Sequence, residues 1–320
     1  MTGQQANRPT GQQRLPRIAI TVGDPAGIGP EIVAKAAADP SVRAVCQPVV
    51  FDTPSGVNVR PGEASAAAGR AAYDTIVRAV DAAKRGDVDA IATAPVNKLA
   101  FAKAGLEWKG HTDLLAHLCG TTRVAMMFHS PQLKVVLITV HVPLKDVSSQ
   151  LTPALVDQTI ALTADAMDVF GTPRPRLALA GLNPHAGENG VIGDEDDRVL
   201  VPAVRRAQEH GVTIAGPIPG DTVFVRASRG EFDCVIACYH DQGLIPVKLL
   251  AFGTAVNVTI GLPIIRTSVD HGTAFDIAGK GIADPGSMIA AVKLAAEMAH
   301  LRAARYRAQG SGASRDGGTP

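Results

Sequence analysis

Three histidines in this chain have the residue type and the sequence context to bind a metal ion. Each comes shortly after an apolar run typical of a buried strand: His141 follows KVVLITV, His185 follows RLALAGL and His240 follows CVIAC. In an open α/β sheet, ligands bind beyond the carboxyl ends of the strands. Three imidazoles at such ends can converge on one divalent cation and leave a coordination position open for substrate or water. A single histidine of this kind is more often structural, so the predicted metal site depends on all three.

A second group of polar residues could bind a phosphate. His111 and Thr112 lie at the predicted N-terminus of a helix, where backbone amides and the helix dipole favour an anion. Lysine, arginine and amide side chains also bind phosphate, and three of them lie in segments rich in Gly and Pro beside predicted strand ends. These three are Lys248, Asn257 and Arg266. The alternative is that Thr112 only caps its helix and that the others are surface residues.

Two glycine-rich segments are further candidates for ligand contact. ITVGDPAGIGPEI (20–32) is a turn from a strand to a helix, and its glycine spacing matches neither the dinucleotide-binding fingerprint nor the Walker loop. Its glycines allow close backbone approach to a ligand, and Asp24 could bind a cation or a hydroxyl. A tight strand–helix turn is the alternative. DHGTAFDIAGKGIADPGSM (270–288) is too rich in Gly, Asp and Ala for a core element, so we expect a ligand-binding loop.

Composition argues against several classes of protein. The chain has 320 residues, of which 46% are hydrophobic and 19% charged, with a formal net charge of +1, as in soluble globular proteins. The basic residues form no run, so neither a nucleic-acid nor a membrane partner is expected, and no apolar stretch is long enough to span a bilayer. The polar start has no signal-peptide core, and the cysteines form no CxxC pair. We therefore expect a cytoplasmic protein.

Alternating strand and helix patterns predict the elements that position these residues. Strands are expected at 17–22, 47–51, 89–94, 124–129, 134–140, 176–181, 212–218, 233–238 and 255–260, and helices at 30–38, 64–85, 113–119, 151–169, 195–210 and 287–306. This alternation predicts an α/β protein with a mostly parallel sheet. We expect two lobes with a cleft between them: 15–130 plus 255–308, which includes the 270–288 loop, and 131–254. A disordered leader (1–14) and a flexible tail (309–320) would flank them.

Several strings in the sequence resemble known enzymes. The 270–288 loop resembles the adenosine-binding loop of the isocitrate and isopropylmalate dehydrogenase class, whose metal-dependent, β-decarboxylating members bind NAD without a Rossmann fingerprint. A larger set, spread over residues 17–306, resembles the 4-hydroxythreonine-4-phosphate dehydrogenase family of vitamin B6 biosynthesis. Its strings are GDPAGIGPE, TAPVNK, GHTDLL, HVPL, NPHAGE, GDEDD, GPIPGDTVF, YHDQGLIPVK and GLPIIRTSVDHGTA.

This resemblance implies a fold, an assembly and a set of site residues. It implies a homodimer whose subunits have two lobes in an α/β/α arrangement, as in isocitrate and isopropylmalate dehydrogenases, with the active site at the cleft and the dimer interface. His141, His185 and His240 match the metal ligands of the family. Its substrate-binding positions, chiefly around a phosphate, match His111, Thr112, Lys248, Asn257 and Arg266.

The resemblance also implies a reaction. A secondary alcohol at C3 of a phosphorylated four-carbon 3-hydroxy acid is oxidised by NAD, and the C1 carboxylate is then lost as CO2. Three neutral histidines suit Zn, Co, Ni or Mn better than Mg, which prefers oxygen ligands. A carboxylate could serve as a further ligand, as a hydrogen-bond partner of the ligands or as a proton acceptor. The candidates are Asp24, Asp241 and Asp270.

The cofactor would contact the 270–288 loop. The expected contacts are Asp270, His271, Gly272 and Asp276. NAD is favoured over NADP because Lys280 is the one candidate in this loop for binding a 2′-phosphate.

Several alternative functions are open. The 270–288 loop and NKLAFAKAGLEWKGHTDLLAHLCG (97–120) resemble a sister branch that oxidises 4-phospho-D-threonate or 4-phospho-D-erythronate in sugar-acid catabolism. A further relative acts on a cis-dihydrodiol of terephthalate, which has no phosphate, and the retained Lys248 and Arg266 argue against that substrate. A metal hydrolase would also use three histidines with an open position, but it leaves the 270–288 loop unexplained. A non-catalytic sugar-phosphate sensor would need no metal-binding histidines.

Overall fold

The structure is a computed structural model that describes residues 14–312 and the side chains of residues 14–307. The expected leader, apart from residue 14, and residues 313–320 of the expected tail lie outside this range. Within residues 14–312, no helix is both long and apolar enough to cross a membrane.

The described residues contain a single ten-stranded sheet with the order β2-β1-β3-β10-β9-β4-β5-β8-β6-β7. Strands pair in parallel in both outer parts of the sheet, whereas β10, β9, β4 and β5 pair antiparallel to one another in the middle. The predicted α/β class and mostly parallel sheet are therefore confirmed. The strands are β1 (Arg17–Thr21), β2 (Gln47–Phe51), β3 (Ala90–Thr93), β4 (Ala125–His129), β5 (Lys134–Leu137), β6 (Leu177–Ala180), β7 (Ile214–Ile218), β8 (Cys234–Ala237), β9 (Val256–Ile260) and β10 (Arg266–Ser268).

Helices cover both faces of the sheet. The α-helices are α1 (Gly29–Ala38), α2 (Pro40–Arg43), α3 (Ala66–Arg85), α4 (Lys98–Lys103), α5 (His111–Leu118), α6 (Val147–Gln150), α7 (Pro153–Val169), α8 (Val201–Glu209), α9 (Gly220–Ser228), α10 (His240–Ala251) and α11 (Gly286–Gly312). Short 3-10 turns occur at Leu144–Asp146 and Pro184–Gly187, and a π-helical turn, Asp196–Leu200, precedes α8.

Capping residues set the ends of the long helices. Ser65 caps α3 by accepting a hydrogen bond from the Ala68 amide, and Gly86 ends it with a left-handed φ of 76°. Thr152 caps α7 in the same way through the Leu155 amide. An oxygen acceptor at the N-cap and a glycine after the last turn are common helix signals, and the predicted stop at Gly86 is confirmed.

The sheet has one continuous core on one face and two separate cores on the other. The continuous core includes buried side chains of β1, β4, β6 and α11. On the opposite face, α3 and α5 pack against β1 and β3, and α9 and α10 pack against β5 and β8. The two strands between these cores, β10 and β9, contribute no side chain to either apolar cluster on this face.

The sequence patterns missed two elements that position candidate site residues. α10 and β10 were not predicted, because a glycine and a proline interrupt the helix pattern and the strand is short and polar. In α10, Gly243 lets the helix approach β5 closely: a Cβ at this position would lie 2.6 Å from Cδ2 of Leu137. Pro246 lies inside the same helix. Lys248 is therefore a helical residue and does not lie in a loop rich in Gly and Pro.

Candidate active site

A band of polar side chains separates the two cores on the helix-covered face that includes α5 and α10. The strand register places these side chains on this one face. Ser268 pairs with both Thr93 and Asn257, and Asn257 in turn pairs with Phe128, which belongs to the core beneath α10. Directly paired residues of neighbouring strands point to the same side of a sheet. The band, which we call the polar band, consists of Thr93, Asn257, Thr259, Arg266 and Ser268.

Arg266 is the charged centre of the polar band. It is 2% exposed. Nη1 donates to Oγ1 of Thr259 at 2.9 Å and Nη2 to Oγ1 of Thr93 at 2.8 Å, while Nε has no partner. No ion pair with a carboxylate involves this guanidinium within residues 14–307. Burial lowers its pKa to about 9. A buried cation with only neutral partners favours binding of an anion, since isolated buried charge is costly.

His111 and Asn257 add further unsatisfied groups to this region. Nε2 of His111 and Oδ1 of Asn257 are buried and make no hydrogen bond. Burial lowers the pKa of His111 well below its usual value, and the positive charge of Arg266 lowers it further. His111 is also the first residue of α5, so it lies where the helix dipole favours negative charge. Unpartnered buried polar atoms are uncommon, and their grouping beside a guanidinium indicates a ligand site.

Thr112 does not cap its helix, so this prediction is wrong. Gly110 is the N-cap of α5, with no side-chain cap, and Thr112 lies inside the first turn. The helix begins two residues earlier than the pattern indicated, because His111 and Thr112 themselves adopt helical geometry. Thr112 is half-buried and stays a candidate for the phosphate site.

Lys248 is tied to the loop that follows β10. Its Nζ lies 2.8 Å from Oδ2 of Asp270, whose side chain is only 4% exposed. Ser287 donates to the other carboxylate oxygen of Asp270 at 3.5 Å. Asp270 is a predicted cofactor contact, and in the structure its carboxylate pairs with Lys248, a candidate phosphate-binding residue. This ion pair connects α10 to the 270–288 loop.

Two of the three candidate metal ligands lie together. The strands that precede the three histidines, β5, β8 and β6, are adjacent and parallel, so their carboxyl ends share one edge of the sheet. The ring centroids of His141 and His240 lie 5.6 Å apart. Nδ1 of His240 lies 2.7 Å from Oδ1 of Asp241, which leaves Nε2 free to bind a metal. Burial lowers the pKa of His141, as do neighbouring Lys98 and His240. A neutral imidazole is the form that binds metals.

His185 does not join this pair within one chain. It lies in the exposed 3-10 turn after β6, with a left-handed φ of 53°. In the described part of the chain, no three His, Cys, Asp or Glu side chains are close enough to one another to hold a metal ion. The donor chemistry of His141, His240 and Asp241 fits a divalent cation, and His185, the third candidate ligand, does not complete a three-ligand group with them within the described residues.

The 270–288 loop packs on the first helix. Nζ of Lys35 donates to the carbonyls of Gly281 (3.0 Å) and Ala283 (2.8 Å), and Oε1 of Glu31 accepts from the Ala283 amide at 2.8 Å. The other residues expected to contact the cofactor are exposed at the surface of this fixed loop. They are His271, Gly272 and Asp276.

The glycine-rich turn before α1 is filled by the chain itself. A Cβ at Gly23 would lie 2.2 Å from the Pro95 carbonyl oxygen, and one at Gly27 would lie 2.8 Å from that of Thr273. These glycines allow neighbouring backbone to approach, which is the structural alternative considered for this turn. Asp24 is fully buried; Oδ1 accepts from the Ala26 amide at 2.9 Å, whereas Oδ2 has no partner. Burial raises the pKa of this carboxyl group.

The hydroxyl residues of the polar band were not singled out in the sequence. Thr93, Thr259 and Ser268 lie in or beside apolar strand patterns, where small β-branched or hydroxyl residues are ordinary. Only the pairing of β3, β10 and β9 brings them around Arg266. An isolated arginine in a polar three-residue strand is the signal that could have indicated them.

Comparison with known proteins gives close relatives over almost the whole chain. Residues 20–295 match the family described as pyridoxal phosphate biosynthetic protein PdxA. A 4-hydroxythreonine-4-phosphate dehydrogenase of Desulforapulum autotrophicum is 44% identical over 330 residues, covering 90% of this chain and 97% of the relative. A D-threonate 4-phosphate dehydrogenase of Cupriavidus necator is 43% identical over 329 residues, covering 90% and 99%. The crystal structure of a 4-hydroxythreonine-4-phosphate dehydrogenase from Klebsiella pneumoniae is similar with a TM-score of 0.82 at 42% identity, covering 89% of this chain and 98% of that one.

Proposed function

The chain belongs to the PdxA family, and we propose that it is an NAD-linked, metal-dependent dehydrogenase that oxidises and decarboxylates a phosphorylated four-carbon 3-hydroxy acid. The resemblance seen in the sequence is thereby confirmed at the level of the family. The substrate class, the cofactor and the metal belong to the proposal.

The buried, uncompensated Arg266 is the observation that carries this proposal. Its guanidinium lies in the polar band between the two cores, and His111 and Asn257 add unpartnered atoms there. A phosphate dianion would accept hydrogen bonds from Arg266 and from the amides at the start of α5. A dihydrodiol of terephthalate has no phosphate and could offer Arg266 only a carboxylate, which carries less charge and fewer acceptor oxygens than a phosphate dianion. The polar band therefore favours a phosphorylated substrate.

Two phosphorylated substrates fit this site. Relatives named for 4-hydroxythreonine 4-phosphate and for D-threonate 4-phosphate are almost equally similar to this chain, at 44% and 43% identity. The two compounds differ at C2, which carries an amino group in one and a hydroxyl group in the other. We place 4-hydroxythreonine 4-phosphate first and D-threonate 4-phosphate, with its erythronate isomer, second.

The metal site supports a homodimer. One chain brings His141 and His240 together, whereas His185 is exposed on its own loop. The outer face of α10, the helix that begins with His240, is apolar and exposed: Ile245 and Leu249 are 65% and 83% exposed, and Phe252, directly after the helix, is 81% exposed. Exposed apolar faces of this kind are typical of protein interfaces. A second copy that covers this face could supply His185 to the pair.

The residues of the chain have separable tasks in this reaction. Zn, Co, Ni or Mn held by the histidines would lower the pKa of the C3 hydroxyl group and stabilise the charge that develops on decarboxylation. NAD bound at the 270–288 loop would accept the hydride. Arg266, Lys248 and the N-terminus of α5 hold the phosphate end of the substrate. Asp241 orients His240 through its 2.7 Å contact with Nδ1. Fixing both ends of a small substrate lowers the entropic part of the barrier.

The proposal is tested by the formation of NADH with purified enzyme. 4-Phosphohydroxy-L-threonine, 4-phospho-D-threonate and 4-phospho-D-erythronate would be compared, each with added divalent metal and each with a chelator. We expect turnover of at least one of them, abolished by the chelator. Turnover of the amino compound alone supports the first candidate, and turnover of a sugar acid alone supports the second. NADH formation only with a non-phosphorylated diol would overturn the role given to Arg266.

A further inference from the structure

The loop that carries His185 has an unusual backbone. Six successive residues, 185–190, have positive φ, and four of them have side chains that disfavour this conformation. These four are His185, Ala186, Glu188 and Asn189, with φ values of 53°, 53°, 45° and 56°. A run of left-handed residues persists only where surrounding groups hold it in place. Some part of the chain must therefore brace this loop.

The brace is the buried carboxylate of Asp196. This residue is 0% exposed. Its Oδ1 accepts from the Leu182 amide at 2.9 Å, and its Oδ2 accepts from the Asn183 amide at 3.0 Å and from Nδ2 of Asn183 at 3.1 Å. All three partners are N–H donors. They fix the backbone immediately before the left-handed run begins.

The neighbouring carboxylate connects this brace to the segment after His141. Oε2 of Glu195 accepts from Nδ2 of Asn183 at 2.8 Å, and Oε1 accepts from Oγ of Ser148 at 2.7 Å. Ser148 lies in α6, a few residues beyond His141. Glu195 thereby links two of the three segments that carry candidate metal ligands.

We propose that Glu195 and Asp196, the middle two of the four acidic residues in the GDEDD string and here called the acidic pair, are positioning residues that hold the His185 loop in its left-handed form and thereby set the affinity of the enzyme for a divalent cation. This inference rests on the proposed function for its metal. The carboxylate is essential in this role because Asp196 accepts three hydrogen bonds and donates none. An asparagine would offer one oxygen, and its amide group would face an N–H donor.

The chain offers a closely matched control for Asp196. Asp197 is the next residue in the same π-helical turn, but its side chain is exposed. Asp196→Asn and Asp197→Asn remove the same charge from the same element, and only the first removes acceptors from the Leu182 and Asn183 amides. Glu195→Gln is a milder third variant that leaves Asp196 in place, so it is informative even if Asp196→Asn does not fold.

Two measurements on the full-length protein test the inference. Hydrogen exchange of residues 182–190 reports the brace without any metal, and titration with Co²⁺, followed by its visible absorption, reports metal affinity. We expect Asp196→Asn to speed exchange in 182–190 and to weaken Co²⁺ binding about tenfold or more, as is typical for partners of metal ligands. Asp197→Asn should match the wild type in both, and Glu195→Gln should change both less.

The outcomes separate this inference from the proposed function. Unchanged exchange in 182–190 for both Asp196→Asn and Glu195→Gln would overturn the brace. Faster exchange with unchanged Co²⁺ affinity would overturn its link to the metal. If the wild-type protein binds no divalent cation, the proposed metal site is wrong, and the exchange data alone then decide whether the acidic pair holds the loop.

Discussion

Nη2 of Arg266 donates a 2.8 Å hydrogen bond to Oγ1 of Thr93, and Nη1 donates a 2.9 Å bond to Oγ1 of Thr259. The guanidinium is thus held in place by two neutral hydroxyl groups from the strands on either side of β10. Neutral partners orient the cation without cancelling its charge. A charge held in this way can be used by an anionic ligand, whereas a carboxylate partner would have neutralised it.

Replacing Arg266 should weaken binding of the phosphorylated substrate. We expect Arg266→Ala to raise KM by roughly one to two orders of magnitude, since a hydrogen bond to a charged group contributes about 1.5–3 kcal/mol. Arg266→Lys keeps the charge, but a lysine cannot donate to both threonines in the same geometry. Its KM should therefore lie between those of the wild type and of Arg266→Ala. Steady-state kinetics with the best of the three phosphorylated acids measures this effect.

The matched control for this prediction is Arg226→Ala. Arg226 pairs with Glu231 at the surface and lies outside the polar band. Its replacement should leave KM near the wild-type value. An Arg266→Ala enzyme with unchanged KM would mean that the phosphate binds away from the polar band.

Removing a metal ligand should affect turnover more than substrate affinity. We expect His240→Ala to lower kcat far more than it raises KM, because the cation acts mainly on the transition state. His210→Ala is the control, since His210 is an exposed histidine that contacts the Arg206 carbonyl oxygen. Kinetics and Co²⁺ titration of both variants provide the comparison. Near-normal turnover in His240→Ala would remove this histidine from the metal site.

The core and the strands that precede the three candidate metal ligands could be predicted because their signals are local. KVVLITV, RLALAGL and CVIAC are apolar runs, and they become the adjacent parallel strands β5, β6 and β8. Strands were also predicted at 124–129 and 134–140, and they are confirmed as β4 and β5, which the structure pairs antiparallel. Periodicity and apolar content are properties that a short stretch of sequence shows by itself.

The polar band and the His185 loop could not be predicted because their structure comes from other segments. β10 has only three residues, Arg266–Ser268, and it is a strand because β3 and β9 pair with it on both sides. The left-handed run at 185–190 depends on Asp196, which holds the backbone of Leu182 and Asn183 on the other side of the run. Neither feature has a composition that distinguishes it from an ordinary loop.

A charge on the outer face of α10 should prevent dimer formation. Leu249 is 83% exposed and lies one turn from Ile245 on the same side of the helix. Burial of such a leucine contributes about 1.5–3 kcal/mol, and a carboxylate there would have to lose its hydration. We expect Leu249→Glu to sediment as a monomer with weakened metal binding. Leu99→Glu, at an exposed leucine of α4, is the control and should sediment as the wild type does. A dimeric Leu249→Glu protein would place the interface elsewhere.

Stability should fall in mild acid because His129 is buried in its neutral form. Its ring stacks on Phe170 at a centroid distance of 5.1 Å, and burial, with the nearby charge of Lys134, lowers its pKa to about 4. The unfolded chain takes up a proton at this residue below its usual pKa of 6.5, whereas the folded protein resists until about pH 4. The contribution of neutral His129 to the free energy of unfolding is therefore fully present above pH 6.5 and is lost as the pH falls towards 4.

His129→Phe tests this pH dependence directly. Phenylalanine can keep the stacking on Phe170 and has no proton to bind. At pH 7.5 the free energies of unfolding of the two proteins differ only through packing, which serves as the control. Between pH 7.5 and pH 5 the wild type should lose roughly 1–2 kcal/mol more than the variant, as linkage requires for a shift of this size. Urea denaturation at the two pH values measures both losses. Equal losses would show that His129 takes up its proton as readily in the folded protein as in the unfolded chain.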